Sequence, residues 1–172
     1  MRKIILLGYM GSGKSTVANR LSKITNIPSV DLDKCIEERT KSSINEIFEQ
    51  QGEIYFRKLE REVLVELLDS PGNLIISLGG GAPCYANNHE LLKGENVVSI
   101  YLKASVETLF ERLVSNKSKR PIIANMNEDE MREFIAKHLF ERSFYYNQAQ
   151  YKVSVDAITK DEAAQKIFEI LT

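Results

Sequence analysis

Gly8-Tyr9-Met10-Gly11-Ser12-Gly13-Lys14-Ser15 fits the pattern G-x-x-x-x-G-K-[ST] of a phosphate-binding loop. The run before it, Lys3-Ile4-Ile5-Leu6-Leu7, is short and apolar, as a buried strand is. The run after it, Thr16-Val17-Ala18-Asn19-Arg20-Leu21, has apolar residues at helical spacing. Strand, glycine loop and helix in this order are the setting the motif requires. The N–H groups of Gly11, Ser12 and Gly13, continued by the helix start at Lys14, Ser15 and Thr16, are expected to cradle phosphate oxygens. Lys14 is expected to reach the β- and γ-phosphates of a nucleotide, and Ser15 to ligate Mg2+.

Beyond the loop, strand-like runs alternate with helical patterns, which predicts an α/β fold with a parallel sheet. Further strands are expected around Ser29-Val30 and at Asn73–Leu78, Val97–Leu102 and Tyr151–Val155, the last alternating as an edge strand does. Ser43-x-x-Glu46 and Thr159-x-x-Glu162 are capping boxes that start helices. From Ile44, apolar Ile47, Phe48, Tyr55, Leu59, Val63 and Leu67 recur at helical spacing, and Gly52 predicts two helices or a kink. The last helix is expected to pack Ala163, Ala164, Ile167, Phe168 and Leu171.

The totals narrow the possibilities. A chain of 172 residues suits one domain with a substantial core. Its net charge of −1 gives no field that would draw nucleic acid or a membrane surface. Cys35 and Cys84 lack metal-ligand spacing and are expected to be free thiols, as in the cytoplasm. His89 and His138 stand in no ligand pattern. No stretch has the length of a transmembrane helix, and no signal peptide is apparent.

A phosphate loop alone does not specify a reaction. Asn116-Lys117-Ser118-Lys119 resembles a guanine-reading sequence but lacks its acidic fourth residue. Asp69-Ser70-Pro71-Gly72 resembles a switch motif but precedes a strand, and is expected to be a helix-ending turn. Asp31-Leu32-Asp33 lies at the end of the second strand, where ligands of open α/β sheets bind. A strand period of two would project both carboxylates to one side, one for a Mg2+-bound water and one for an acceptor hydroxyl. The alternative is that Asp33 caps the following helix. Arg57, in Gly52-Glu53-Ile54-Tyr55-Phe56-Arg57-Lys58-Leu59-Glu60, is expected to point away from the Tyr55–Leu59 stripe, towards an acceptor cleft or into solvent beside Glu53. Gly79-Gly80-Gly81 removes side chains where a ligand could approach the backbone.

This ordered set, with Arg120-Pro121 and Glu141-Arg142 followed by Tyr146, resembles the shikimate kinase family over nearly the whole chain. The resemblance implies a three-layer α/β/α fold with a five-stranded parallel sheet, of the nucleoside-monophosphate-kinase type of P-loop NTPase. A substrate-binding excursion is expected at about 34–61 and a lid at about 115–127. It implies transfer of the γ-phosphoryl group of ATP to the 3-hydroxyl of shikimate, with Mg2+, on the route to chorismate and aromatic amino acids. By resemblance, Arg57 and Arg142 clamp the substrate carboxylate, Asp33 binds the ring hydroxyls, and Gly79, Gly80 and Gly81 line the ring. Asp31 holds Mg2+ through water beside Ser15. Arg120 comes down with the lid beside Lys14, and Arg112, in preference to Leu113, lies against the adenine. The family's proline after the clamp arginine is missing, since Ser143-Phe144-Tyr145 follow. The expected protein is a monomeric cytoplasmic enzyme. A gluconate or nucleoside-monophosphate kinase of the same fold, or a non-catalytic nucleotide-binding module, are the alternatives.

Overall fold

The computed structural model describes residues 1–172. Five parallel strands form one sheet in the order β2-β3-β1-β4-β5. They are β1 (Lys3–Leu7), β2 (Ser29–Asp31), β3 (Leu74–Ser77), β4 (Val97–Lys103) and β5 (Tyr151–Ser154). The helices are α1 (Lys14–Thr25), α2 (Leu32–Thr40), α3 (Ile44–Asp69), α4 (Val106–Val114), α5 (Glu128–Tyr146) and α6 (Lys160–Leu171). Central β1 is buried at every position, which is why it reads as an unbroken apolar run. β5 is an edge strand, and only its Val153 is buried.

Crossover connections carry the helices over the sheet, α1 packing beside α6, α2 beside α3 and α4 beside α5. α3 is broken at Gly52, whose φ of 82° and ψ of 170° are unavailable to a helix. Phe48 and Phe56 pack across the break with ring centroids 4.6 Å apart. α3 ends at Ser70, the expected turn. There buried Lys3 donates from Nζ to Ser70 O, Ser70 Oγ and Gly72 O at 2.7, 2.8 and 3.0 Å. α5 runs through Arg142 to Tyr146 without interruption.

The chain leaves β1 in one direction for β2 and β3, then crosses to β4 on the other side. The carboxyl ends of β1, β2 and β3 therefore open on one crevice, the ligand position of an open α/β sheet. The phosphate loop, Asp31 and the three glycines all issue from those ends.

Candidate active site

Helix caps single out the phosphate loop. Asp31, Ser43, Ser105, Asn127 and Thr159 each accept a backbone N–H at the start of α2, α3, α4, α5 and α6. α1 alone begins without a side-chain cap and without an acidic residue in its first turn. Its N-terminal N–H groups and dipole are thus available to an anion. Gly11 and Gly13 have φ of 84° and 93°, which lets the loop turn into the helix. Lys14 is only 8% exposed, and its Nζ donates to Tyr9 O at 3.1 Å. Burial brings its pKa down to about 8, against the opposing pull of Asp33 and Asp31. Ser12 Oγ is buried without a partner.

Ser15 Oγ donates to Asp31 Oδ2 at 2.6 Å, which joins the end of the loop to the end of β2. The strand-period expectation for Asp31 and Asp33 is not met. The strand stops at Asp31, and Asp33 lies in the first turn of α2. Asp31, not Asp33, is the cap, its Oδ1 accepting from Asp33 N at 3.0 Å and Lys34 N at 3.3 Å. The turn of α2 nevertheless brings both carboxylates to the wall of one cavity with Lys14 and Thr16. Burial, then the neighbouring Asp31, raises the Asp33 pKa, while Lys14 lowers it.

The three glycines form a floor on which each missing side chain is replaced by a functional one. A Cβ on Gly79 would lie 2.9 Å from Asp33 Oδ1, one on Gly80 3.2 Å from Arg142 Nη1, and one on Gly81 2.9 Å from Arg57 Nη2. Tyr146 OH secures this floor by donating to Gly80 O at 2.6 Å. Arg142 also lies over the Tyr9 ring, its Cζ 5.6 Å from the centroid, and Tyr9 OH meets His138 Nδ1 at 3.0 Å.

Arg57 does reach this floor, although the stripe that predicted its direction is different. Tyr55 is 46% exposed, and the packed face runs through Phe56, Leu59, Glu60 and Val63. The Arg57 guanidinium is surrounded by Tyr85, Phe56 and Phe48, with centroids 3.8, 5.1 and 5.9 Å from Cζ. Its Nη1 donates to Glu60 Oε1 at 2.9 Å, and Glu53 Oε1 lies 3.5 Å from Nε. Glu60 is 1% exposed. Burial pushes its pKa up to about 7, outweighing the attraction of Arg57. Between 4.5 and about 7 the folded chain holds a proton that the unfolded chain has released. Glu60 therefore contributes stability at acid pH that is lost as pH rises through this window. Glu60→Gln is expected to flatten the slope of Tm against pH between about pH 5 and 7. An unchanged slope would mean that Arg57 keeps Glu60 ionised throughout.

The far wall of the cavity, whose volume is 550 Å³, contains Arg112, Arg120 and Lys160. Arg112 donates from Nη1 to Gly11 O and Ser12 O and from Nη2 to Val155 O, so it is tied to the loop. Leu113 lies beside it, against Gly11. Arg120 Nη1 stands 3.8 Å from Met10 Sδ. Its segment is anchored by Ile123, which is fully buried, and by Lys117 Nζ, which donates to Met126 O. Tyr85 and a contact for His138 were not singled out in the sequence, and Glu60 entered only as the last residue of the Arg57 stretch. Only Glu60 carried a signal, its helical spacing of three from Arg57.

Residues 10–172 match the family model described as shikimate kinase. The chain is 68% identical over 171 residues to a shikimate kinase of Flavobacterium johnsoniae, covering 99% of both chains. It is 48% identical to one from Flavobacterium psychrophilum, again over 99% of both. A crystal structure of shikimate kinase from Bacteroides thetaiotaomicron matches with a TM-score of 0.90 at 37% identity, covering 99% of this chain and 98% of that one. Shikimate kinase from Acinetobacter baumannii in complex with shikimate matches with a TM-score of 0.85 at 32% identity, over 99% of this chain and 93% of that one. With its uncapped phosphate-loop helix and glycine floor, the chain belongs to the shikimate kinase family.

Proposed function

We propose that the crevice transfers the γ-phosphoryl group of ATP to the 3-hydroxyl of shikimate through the residues described above, giving shikimate 3-phosphate and ADP. The observation that carries this assignment is the glycine floor, where two guanidinium groups and one carboxylate converge beside the phosphate loop. A planar carboxylate on the acceptor suits the forks of Arg57 and Arg142. The ring hydroxyls suit Asp33. Gly79, Gly80 and Gly81 let the ring lie close to the backbone.

The loop amides of residues 11–16 and Lys14 hold the polyphosphate, while Arg112 and Arg120 line its other side. The acceptor oxygen attacks the γ-phosphorus and the bond to the β-bridging oxygen breaks. The hydroxyl proton passes to Asp33. The transition state is loose, so placement and positive charge do most of the work. Ser15 and Asp31 offer hard oxygen donors in contact with each other, which fits Mg2+ held by the Ser15 hydroxyl and, through water, by Asp31. There Mg2+ would neutralise phosphate charge. The segment at about 115–127 acts as the lid and that at about 34–61 as the acceptor-binding element. No helix is long and apolar enough to cross a membrane. We assign a monomer in the cytoplasm.

ADP release measured side by side with shikimate, gluconate and mononucleotides tests the assignment. Turnover with shikimate alone is the expected result. Turnover of gluconate or AMP without shikimate would reverse it, and ATP binding without turnover would mark a non-catalytic module.

A further inference from the structure

Tyr85 has no evident place in the hydrophobic core. It is 38% exposed and lies outside the cluster of packed apolar side chains. Its close contact is with Arg57, whose Cζ stands 3.8 Å from its ring centroid, nearer than to Phe56 or Phe48.

The backbone is built to hold the ring there. Ala86 and Asn87, which follow, have φ of 50° and 55°, a left-handed conformation that alanine avoids unless its surroundings impose it. Arg61 Nη1 imposes it from the next turn of α3, donating to Ala86 O at 2.8 Å and Asn88 Oδ1 at 3.1 Å. Asn88, fully buried, donates in turn to Ala82 O at 2.9 Å, beside the glycine floor. Arg57 and Arg61 are one helical turn apart, so the same face of α3 presents the clamp and fastens the loop that covers it.

We infer that Tyr85 is a positioning residue for the acceptor: it stacks on the Arg57 guanidinium and fixes its plane. The inference rests on the assignment of Arg57 to the substrate carboxylate. Ordering an arginine side chain costs rotamer freedom. Glu60 fixes one corner of the guanidinium through Nη1. That bond and the longer contact of Nε with the half-exposed Glu53, at 3.5 Å, hold one edge, and a stacked ring fixes the plane. The Nη2 edge is then held over Gly81, facing the floor. Stacking adds this restraint without bringing a further carboxylate to the guanidinium, which already faces Glu60 and Glu53.

Steady-state kinetics of Tyr85→Ala, Tyr85→Phe, Arg61→Ala and Arg57→Ala test this. Tyr85→Ala is expected to raise the KM for shikimate by about 5- to 20-fold, with kcat and the KM for ATP within about twofold of the parent. Tyr85→Phe keeps the ring and should restore the parent value. Arg61→Ala frees the loop and should shift the shikimate KM in the same direction, with no further loss when combined with Tyr85→Ala. If Arg57→Ala raises the shikimate KM and Tyr85→Ala does not, the positioning role is wrong and the clamp stands. If Arg57→Ala leaves it unchanged, the clamp assignment fails and the inference with it. A rise in both KM values for Tyr85→Ala, not restored by phenylalanine, would reduce the residue to a fold contact.

Discussion

Asp33→Asn is expected to lower kcat with shikimate by ~10²-fold or more. The amide keeps the size of the carboxylate and can still hydrogen-bond a ring hydroxyl, but it cannot accept the hydroxyl proton. Proton acceptance is the role we propose for it. Burial and Asp31 both raise the Asp33 pKa, which increases its basicity, and Lys14 stands close enough to oppose the shift. Asp33 is also locked in position, with its backbone N–H on Asp31 and its carboxylate against Gly79. Steady-state kinetics separate the two possible roles. A low kcat with a nearly constant KM for shikimate would identify the base. A near-normal kcat with a raised KM would mean that Asp33 orients the acceptor and that the proton departs late to solvent.

Arg57→Ala is expected to weaken shikimate binding by about 2 to 5 kcal/mol, because it removes half of the proposed carboxylate clamp. ATP affinity should change little, since Arg57 is not among the residues that line the cavity at the phosphate loop. The substitution has a second consequence. Glu60, 1% exposed, loses its partner. A buried carboxylate without a partner is expelled or takes up a proton. Arg57→Ala should therefore also lower Tm near neutral pH, and Arg57→Ala/Glu60→Gln should recover Tm without recovering shikimate binding. If the double substitution restored binding, Glu60 would be the determinant and Arg57 only its counter-ion. Lysine at 57 is expected to rescue poorly, because an ammonium ion cannot reproduce the planar fork or its stacking.

Much of this was legible in the sequence because it is local. The phosphate loop needs its glycines and lysine in fixed order, and the caps at Ser43 and Thr159 each close over four residues. The strands were legible as apolar runs, although strand order was not, since pairing across the sheet leaves no local pattern. Asp31 ends the second strand as expected, but Asp33 departs from the strand period for a specific reason. An N-cap has extended backbone, here φ −104° and ψ 125°, so the last strand residue and the helix cap are the same residue. Alternation was carried one step too far, into a helix. The stripe through Tyr55 failed because Gly52 resets the helical phase, and Phe56 takes the buried position. The cap at Asn127 escaped notice, though Asn127-x-x-Glu130 follows the same rule as Ser43-x-x-Glu46. What could not be read is the set of contacts between distant segments. Tyr85 on Arg57, His138 on Tyr9 and Lys160 over Gly13 depend on the packed fold.

The glycine strip limits how this crevice can change over evolutionary time. At Gly79, Gly80 and Gly81 the volume of a methyl group already belongs to Asp33, Arg142 and Arg57. Descendants of this chain could not reshape the basin by enlarging any one of these three without displacing a neighbour that the proposed reaction uses. Diversification towards another acceptor must begin in the walls, on α2, α3 and α5, while the base stays unchanged.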